Sequence, residues 1–176
     1  MGNIARVVLT VTGSDRPGLT SALADAVLAA GGNWQEGHLS RLGGLYVGSV
    51  LVEIAPDQLG TLEAAIMAID AAGLSVAVHA AGDEPETTQS ALLFELVGQD
   101  RPGIIREVSA VLARLGANIE SLSSGEERGA WGGERLFRAA VRVTLPDMIS
   151  PESVQAALET ISSEIMVDFT FSQDDH

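Results

Sequence analysis

The order of hydrophobic and polar positions predicts six elements in the first half of the chain. Val7, Leu9 and Val11 alternate with smaller or polar residues, which predicts a strand over residues 6–12. Helical spacing follows over about residues 17–30, with Gly31 suited to a C-terminal cap. The remaining elements are strands at 33–40 and 45–54 around a hairpin turn at 41–44, a helix from Pro56 with Leu59, Leu62, Ile66 and Ile69 on one face, and a strand through Leu74, Val76 and Val78.

The second half of the chain repeats this order. Gly-Ser-Asp-Arg-Pro-Gly at residues 13–18 recurs at residues 98–103 as Gly-Gln-Asp-Arg-Pro-Gly, an offset of 85. The helical stripe and Asn33 recur at the same offset, whereas Pro56 matches Pro151 at an offset of 95. The ten extra residues are assigned between the second and third strands. The predicted elements are strands at 91–97, 117–124, 135–145 and 165–171, and helices from about Pro102 and from Pro151, with Ser150 as N-cap.

The order strand, helix, strand, strand, helix, strand is that of the α+β ferredoxin-like unit, here present twice in tandem. We expect domains at residues 1–82 and 91–172, a linker at 83–90 and a tail at 173–176. Each unit should form a four-stranded antiparallel sheet with both helices on one face. In the first unit the opposite face is apolar enough to pack on another sheet or subunit, and carries Val8, Thr10, Val47, Ser49, Leu51 and Ala77.

Composition and charge exclude several classes of function. The net charge is −14, with 24 acidic and 10 basic residues, and every basic residue is an arginine. Because no basic stripe is available for phosphates, we expect no direct nucleic-acid binding. The chain has no cysteine, no apolar run of membrane-spanning length and no signal peptide, so we expect a cytoplasmic protein without membrane contact.

The repeated loop suits a free amino acid. It lies where the first strand of each unit meets the first helix, and the first turn of a helix has unpaired N–H groups that attract anions. A carboxylate could bind these N–H groups while Asp15 or Asp100 faces the ammonium group. Gly18 and Gly103 let a ligand approach the backbone.

The motif Gly-x-Asp-Arg-Pro-Gly, the helix ending before Gly-Gly-Asn or Gly-Ala-Asn, and the element order resemble the ACT domain. A pair of such units is most similar to the glycine cleavage system transcriptional repressor family. The resemblance implies a non-catalytic regulator that binds a small amino acid, glycine or serine first, contacts a regulator or enzyme as protein partner, and can form a homodimer. It implies no cofactor or metal. The ligand-binding residues that it implies are Asp15, Arg16, Pro17, Gly18 and Asn33, and Asp100, Arg101, Pro102, Gly103 and Asn118.

Other interpretations of these residues stay open. The two aspartates suit helix caps, the glycines turn geometry, the arginines solvated positions, and the asparagines a left-handed or turn conformation. A structural or dimerisation module, or a regulatory subunit without a ligand, is the alternative function. A small enzyme is disfavoured because no catalytic set emerges.

Other polar and aromatic residues give weaker signals. His38, His79 and His176 lack metal-ligand spacing, and the first two are expected on strand surfaces. Glu95, Arg138 and Arg142 are expected as cross-strand ion pairs. Trp131, in the inserted hairpin, either packs on its own domain or contacts a partner.

Overall fold

The computed structural model describes residues 4–70, 73–82, 91–128, 135–161 and 165–170. The chain divides into two compact units, Met1–Pro85 and Glu86–His176. The division falls within the segment 83–90 that the sequence assigns to a linker. That segment, Trp131 and the tail at 173–176 lie outside the described residues.

Unit 1 contains the six elements that the sequence predicts, in the predicted order. A short 3-10 turn, Pro56–Gln58, precedes its second helix, because Pro56 suits the start of a helical turn. The elements are β1 (Ala5–Ser14), α1 (Leu19–Ala29), β2 (Asn33–Leu42), β3 (Leu45–Ile54), α2 (Leu59–Asp70) and β4 (Leu74–Ala80).

Unit 2 repeats the same elements. Ser150 caps its second helix as predicted, since the Ser150 hydroxyl accepts a hydrogen bond from the Ser153 N–H at 3.3 Å. The elements are β5 (Ala91–Gln99), α3 (Ile104–Arg114), β6 (Asn118–Arg128), β7 (Arg135–Thr144), α4 (Pro151–Glu159) and β8 (Ile165–Thr170).

Each unit forms a four-stranded antiparallel sheet, with strand orders β2-β3-β1-β4 and β6-β7-β5-β8. The predicted fold class is therefore confirmed. Alternate strand residues and the apolar stripes of the helices bury one mainly aliphatic core per unit. Fully buried core residues include Leu9, Leu23 and Leu62 in unit 1 and Phe94, Val108 and Leu158 in unit 2.

Glycine ends the first helix of each unit in the same way. Gly31 has a φ of 74° and Gly116 a φ of 71°, which a residue with a side chain rarely adopts. In unit 1 the N–H of Gly31 binds the carbonyl of Leu28, and that of Gly32 binds the carbonyl of Val27. This paired arrangement satisfies the last helical carbonyls, and it recurs in unit 2.

The extra residues of unit 2 are divided between two loops, which corrects the single insertion expected from the sequence. Val8 pairs with Leu51, and its counterpart Leu93 pairs with Arg142, so the third strands are offset by 91 residues. Six extra residues therefore lie in the hairpin before β7, and four lie between β7 and α4. An offset taken from the two prolines alone could not separate these loops.

The sheet faces opposite the helices differ between the units. In unit 1 the face presents half-buried Val8, Ser49 and Leu51. In unit 2 the equivalent face carries ion pairs, which confirms that Glu95, Arg138 and Arg142 share a face. Arg138 contacts Glu95 at 3.0 Å and Glu127 at 2.9 Å, whereas Arg142 pairs with Glu120 rather than with Glu95.

Candidate ligand-binding loops

The repeated loop has the same backbone conformation in both units. Gly18 (φ 93°) and Gly103 (φ 96°) are left-handed and stand at the N-cap positions of α1 and α3. The carbonyl of each glycine accepts the first helical hydrogen bond, at 2.9 Å in unit 1 and 3.0 Å in unit 2. The helices therefore begin one residue after the glycine, at Leu19 and Ile104, and not at the preceding proline as the sequence suggests.

Neither aspartate of the motif caps its helix. Glycine occupies both N-cap positions, and neither Asp15 nor Asp100 makes a side-chain hydrogen bond to the first turn of α1 or α3 within the described part of the chain. The helix-cap interpretation of Asp15 and Asp100 is therefore wrong. The first N–H groups of both helices face the exposed loop, where a carboxylate can bind them.

In unit 1 the loop aspartate is already paired with a cation. Arg41, near the end of β2, places its Nε 3.1 Å from Oδ2 of Asp15. The backbone N–H of Asp15 also donates to the carbonyl of Gly44 in the hairpin turn, at 3.3 Å. The carboxylate of Asp15 is thus partly neutralised within its own unit.

In unit 2 it is the loop arginine that is paired. Arg101 donates to both carboxylate oxygens of Glu107, at 3.0 and 2.6 Å. This side-chain hydrogen bond lowers the pKa of Glu107 below its ordinary value, and the charge of Arg101 acts in the same direction. Among the described residues, the Asp100 side chain makes no hydrogen bond or ion pair, although its N–H donates to the carbonyl of Arg135 at 3.1 Å.

These differences follow from single positions in the repeat. Arg41 corresponds to Glu126 at the 85-residue offset, and Glu107 corresponds to Ala22. Unit 2 therefore lacks the arginine that pairs with Asp15, and unit 1 lacks the glutamate that pairs with Arg101. Sequence reasoning missed both partners. For Arg41 a signal was present, because the hairpin of β2 and β3 places this residue at the same end of the sheet as the loop.

The region beneath the loops also differs. In unit 1 the hydroxyls of Thr20 and Tyr46 are 2.7 Å apart, which links the first turn of α1 to β3. The equivalent positions in unit 2 are Ile105 and Phe137. The loop of unit 2 therefore lies above a less polar region than the loop of unit 1.

The asparagines lie at the other end of each sheet from the loops. Asn33 lies level with Arg6 at the start of β1, because both residues pair with Glu53. Asp15 lies at the other end of this strand, directly after Ser14. Eight residues of strand separate these levels, a distance of roughly 27 Å at about 3.4 Å per residue. Asp15 and Asn33 of one unit therefore cannot contact the same small amino acid, and the register of unit 2 gives the same result for Asp100 and Asn118.

Both asparagines are exposed first residues of strands. Every described residue with a positive φ is a glycine, so the interpretation that the asparagines serve a left-handed turn is wrong. A contact to a ligand or to another unit remains the prediction for both. The remaining motif residues, Arg16, Pro17 and Pro102, lie on the exposed surface of the loops.

The histidines do not form a metal site within the described part of the chain. His38 and His79 are exposed on β2 and β4, as expected, and each has its own partner. Nε2 of His38 is 2.8 Å from Glu36, and Nε2 of His79 is 3.0 Å from the Thr10 hydroxyl. Residues 4–70, 73–82, 91–128, 135–161 and 165–170 contain no group of three potential ligands.

Comparison with known protein families decides the identity of both units. An ACT-domain model matches residues 5–79, and another matches residues 93–165. The chain belongs to the ACT-domain family. No curated protein sequence matches it significantly.

Solved structures share this two-domain fold over nearly the whole chain. An unknown protein from Galdieria sulphuraria is 25% identical, with a TM-score of 0.76 over 96% of this chain and 100% of its own. A structure described as a “putative glycine cleavage system transcriptional repressor” is 15% identical, with a TM-score of 0.70 over 96% of this chain and 99% of its own. At that identity the second similarity establishes the fold alone. No helix in the described part of the ACT-domain pair is long and apolar enough to cross a membrane.

Proposed function

We propose that this tandem ACT-domain protein is a non-catalytic regulator that senses a small amino acid, with glycine or serine favoured. The duplicated loop supports this proposal most directly, because it joins uncapped N–H groups to an aspartate. A zwitterion needs both groups, since its carboxylate requires donors and its ammonium requires an acceptor. The small ligand fits a loop in which glycine leaves the backbone accessible.

Of the two loops, we propose the one containing Asp100 as the main site. Its carboxylate has no ion-pair partner among the described residues, whereas Asp15 is held by Arg41. A ligand ammonium at Asp15 would have to displace that guanidinium. Because Arg101 pairs with Glu107, the backbone N–H groups of α3 would bind the carboxylate of the ligand.

An asparagine from a different unit would complete the site. Within one unit the loop and the asparagine lie at opposite ends of the sheet, so Asn33 or Asn118 can contribute only from a neighbour. Such a ligand would bridge two units, and its binding would favour the arrangement in which they meet. This is how amino-acid binding would change contact with a protein partner.

The proposed output is contact with a regulator or a metabolic enzyme, and not with DNA. The net charge of −14 and the pairing of β7 arginines with glutamates support this choice. Nucleic-acid binding requires a continuous set of available cations. A pull-down with immobilised protein, with and without the amino acid, would identify a partner whose capture depends on ligand.

Titration calorimetry with glycine, serine and the other standard amino acids tests the proposal. We expect micromolar to millimolar dissociation constants, because a ligand of few atoms has little binding energy available. Amide resonances of residues 100–106 should shift more than those of residues 15–21. A protein that binds no standard amino acid at millimolar concentration would instead support the alternative, a structural or subunit-association module.

A further inference from the structure

The helix-free sheet face of unit 1 has the composition of a protein interface. We call it the open face, and its centre consists of Val8, Thr10, Ser49 and Leu51. These residues and charged neighbours line a shallow depression of about 710 Å³. Two apolar side chains, Val8 and Leu51, thus lie beside two small hydroxyl residues within a charged rim, an arrangement typical of a surface that binds another protein. The rim carries Arg6, Glu36, His38, Glu53 and His79.

The matching face of unit 2 is different, although the fold is the same. Leu51 is replaced by Arg142, and Thr10 by Glu95. The Arg142 and Glu95 side chains pair with Glu120 and Arg138 at 2.9 and 3.0 Å. A face that satisfies its own charges gains little by being covered. The open face of unit 1 is therefore the better candidate for association.

The strand register arranges the open face in rows. One row runs across the four strands as Glu36, Leu51, Val8 and His79. The acid and the histidine occupy opposite edges, with the two apolar residues between them. In the neighbouring row Glu53 on β3 lies beside Arg6 on β1.

A second copy can stack on the open face about a two-fold axis that lies midway between the two sheets, parallel to the strands and above the gap between β1 and β3. This axis makes the pattern of the open face self-complementary. It places Glu36 against His79 of a second copy, Leu51 against Val8, and Glu53 against Arg6, each twice by symmetry. Sheets pack face to face at about 10 Å with strands within about 30° of each other, which this axis permits. From this charge complementarity we infer that two chains form a homodimer through the open faces of their first units.

Glu36 and His79 can make their contact across the dimer without losing their own hydrogen bonds. Glu36 uses Oε1 for His38, and His79 uses Nε2 for Thr10. Oε2 of Glu36 and Nδ1 of His79 have no hydrogen-bond partner among the described residues. These two atoms are the ones that would meet across the dimer.

The size of the face predicts a weak dimer. Four strands at about 4.8 Å spacing and seven residues at about 3.4 Å give a footprint of roughly 460 Å² per copy. A stable interface buries about 800 Å² per partner. The dimer should therefore dissociate on dilution, and the charge of −14 on each chain adds to this tendency.

Sedimentation velocity over a wide concentration range tests the inference. We expect a monomer at low concentration and a dimer at high concentration, with Val8→Asp raising the dimer dissociation constant at least about tenfold. The matched control is Leu93→Asp, which makes the same change at the equivalent position of unit 2 and should leave the constant unchanged. Circular dichroism should show that both variants retain the fold.

Exchanging the charges of Glu36 and His79 tests whether these two residues meet across the dimer. Glu36→Arg should weaken the dimer, and Glu36→Arg combined with His79→Glu should restore it, because arginine and glutamate then meet across the axis. A monomer at every concentration would overturn the inference, as would a dimer insensitive to Val8→Asp or broken by Leu93→Asp. Failure of the double variant to recover would exclude this axis.

Discussion

Replacing Asp100 with asparagine tests the role of the second loop most directly. The substitution keeps the shape of the side chain and removes only its charge. A hydrogen bond to a charged group contributes about 1.5–3 kcal/mol, and Asp100 is exposed, so the lower end applies. At about 1.4 kcal/mol per factor of ten, Asp100→Asn should weaken amino-acid binding about tenfold.

The matched substitution in the first loop is Asp15→Asn. Asp15 already interacts with Arg41 at 3.1 Å, and the arginine side chain is 73% exposed. An exposed pair of this kind contributes about 0–1 kcal/mol, so its loss should leave the fold intact. Because the proposed main site lies in the other unit, the affinity for glycine should remain unchanged.

Titration calorimetry on the two variants gives the result. We expect one strong site per chain in the parent protein and in Asp15→Asn, and a weakened site in Asp100→Asn. Arg41→Gln should then expose Asp15 and produce a second, weaker site. Equal affinity of the parent and Asp100→Asn would refute the assignment, and a loss confined to Asp15→Asn would place the site in unit 1.

Three further predictions concern stability and nucleic acid. Gly103→Ala should cost about 1–2 kcal/mol and lower the Tm by several degrees, since φ is 96° although an added Cβ meets no atom within 4 Å; an unchanged Tm would contradict this. In a comparison with Glu107→Gln, the parent should be more stable at neutral pH, because its glutamate has a lowered pKa; this advantage should disappear as the pH falls from about 4.5 through that pKa, and thermal melts against pH would detect it. The isolated protein should not bind duplex DNA at physiological salt in an electrophoretic or anisotropy assay, and submicromolar binding would disprove the charge argument.

The N-cap glycine before α1, Gly18, also affects how the loop should be tested. A substitution such as Gly18→Val would fill the loop, but its effect on ligand binding would be ambiguous. The structure shows a φ of 93° there, so valine would strain the backbone as well as fill the loop. Charge-removing substitutions at the aspartates avoid this ambiguity.

The fold could be predicted because the repeat and the hydrophobic spacing agree at every element. Leu9 and Leu23 lie in the core as their spacing requires, and Ser150 caps α4 as its position before Pro151 predicts. The residues at which the helices and strands end were harder to predict. Hydrogen bonding extends β1 to Ser14, beyond the last apolar residue of its alternating pattern.

The electrostatic pairing of the loops could not be predicted from the repeat. The motif is nearly identical in the two units, so the sequence suggests two equal sites. The difference comes from Arg41 and Glu107, which lie outside the motif and reach it only through the hairpin and the helix turn. Side-chain pairing of this kind depends on three-dimensional proximity that spacing along the chain does not reveal.

The two units have diverged in opposite directions at both surfaces. Unit 1 has a loop whose aspartate is paired, at Asp15, and a sheet face with an apolar centre at Val8 and Leu51. Unit 2 has an aspartate, Asp100, whose side chain has no partner among the described residues, and a sheet face that carries ion pairs. If unit 1 associates and unit 2 binds the amino acid, then Val8→Asp should disrupt the dimer and leave one ligand site per chain, whereas Asp100→Asn should weaken ligand binding and leave the ligand-free dimer intact. Measuring both properties in both variants separates the two roles, and loss of both properties in either variant would show that one surface serves both.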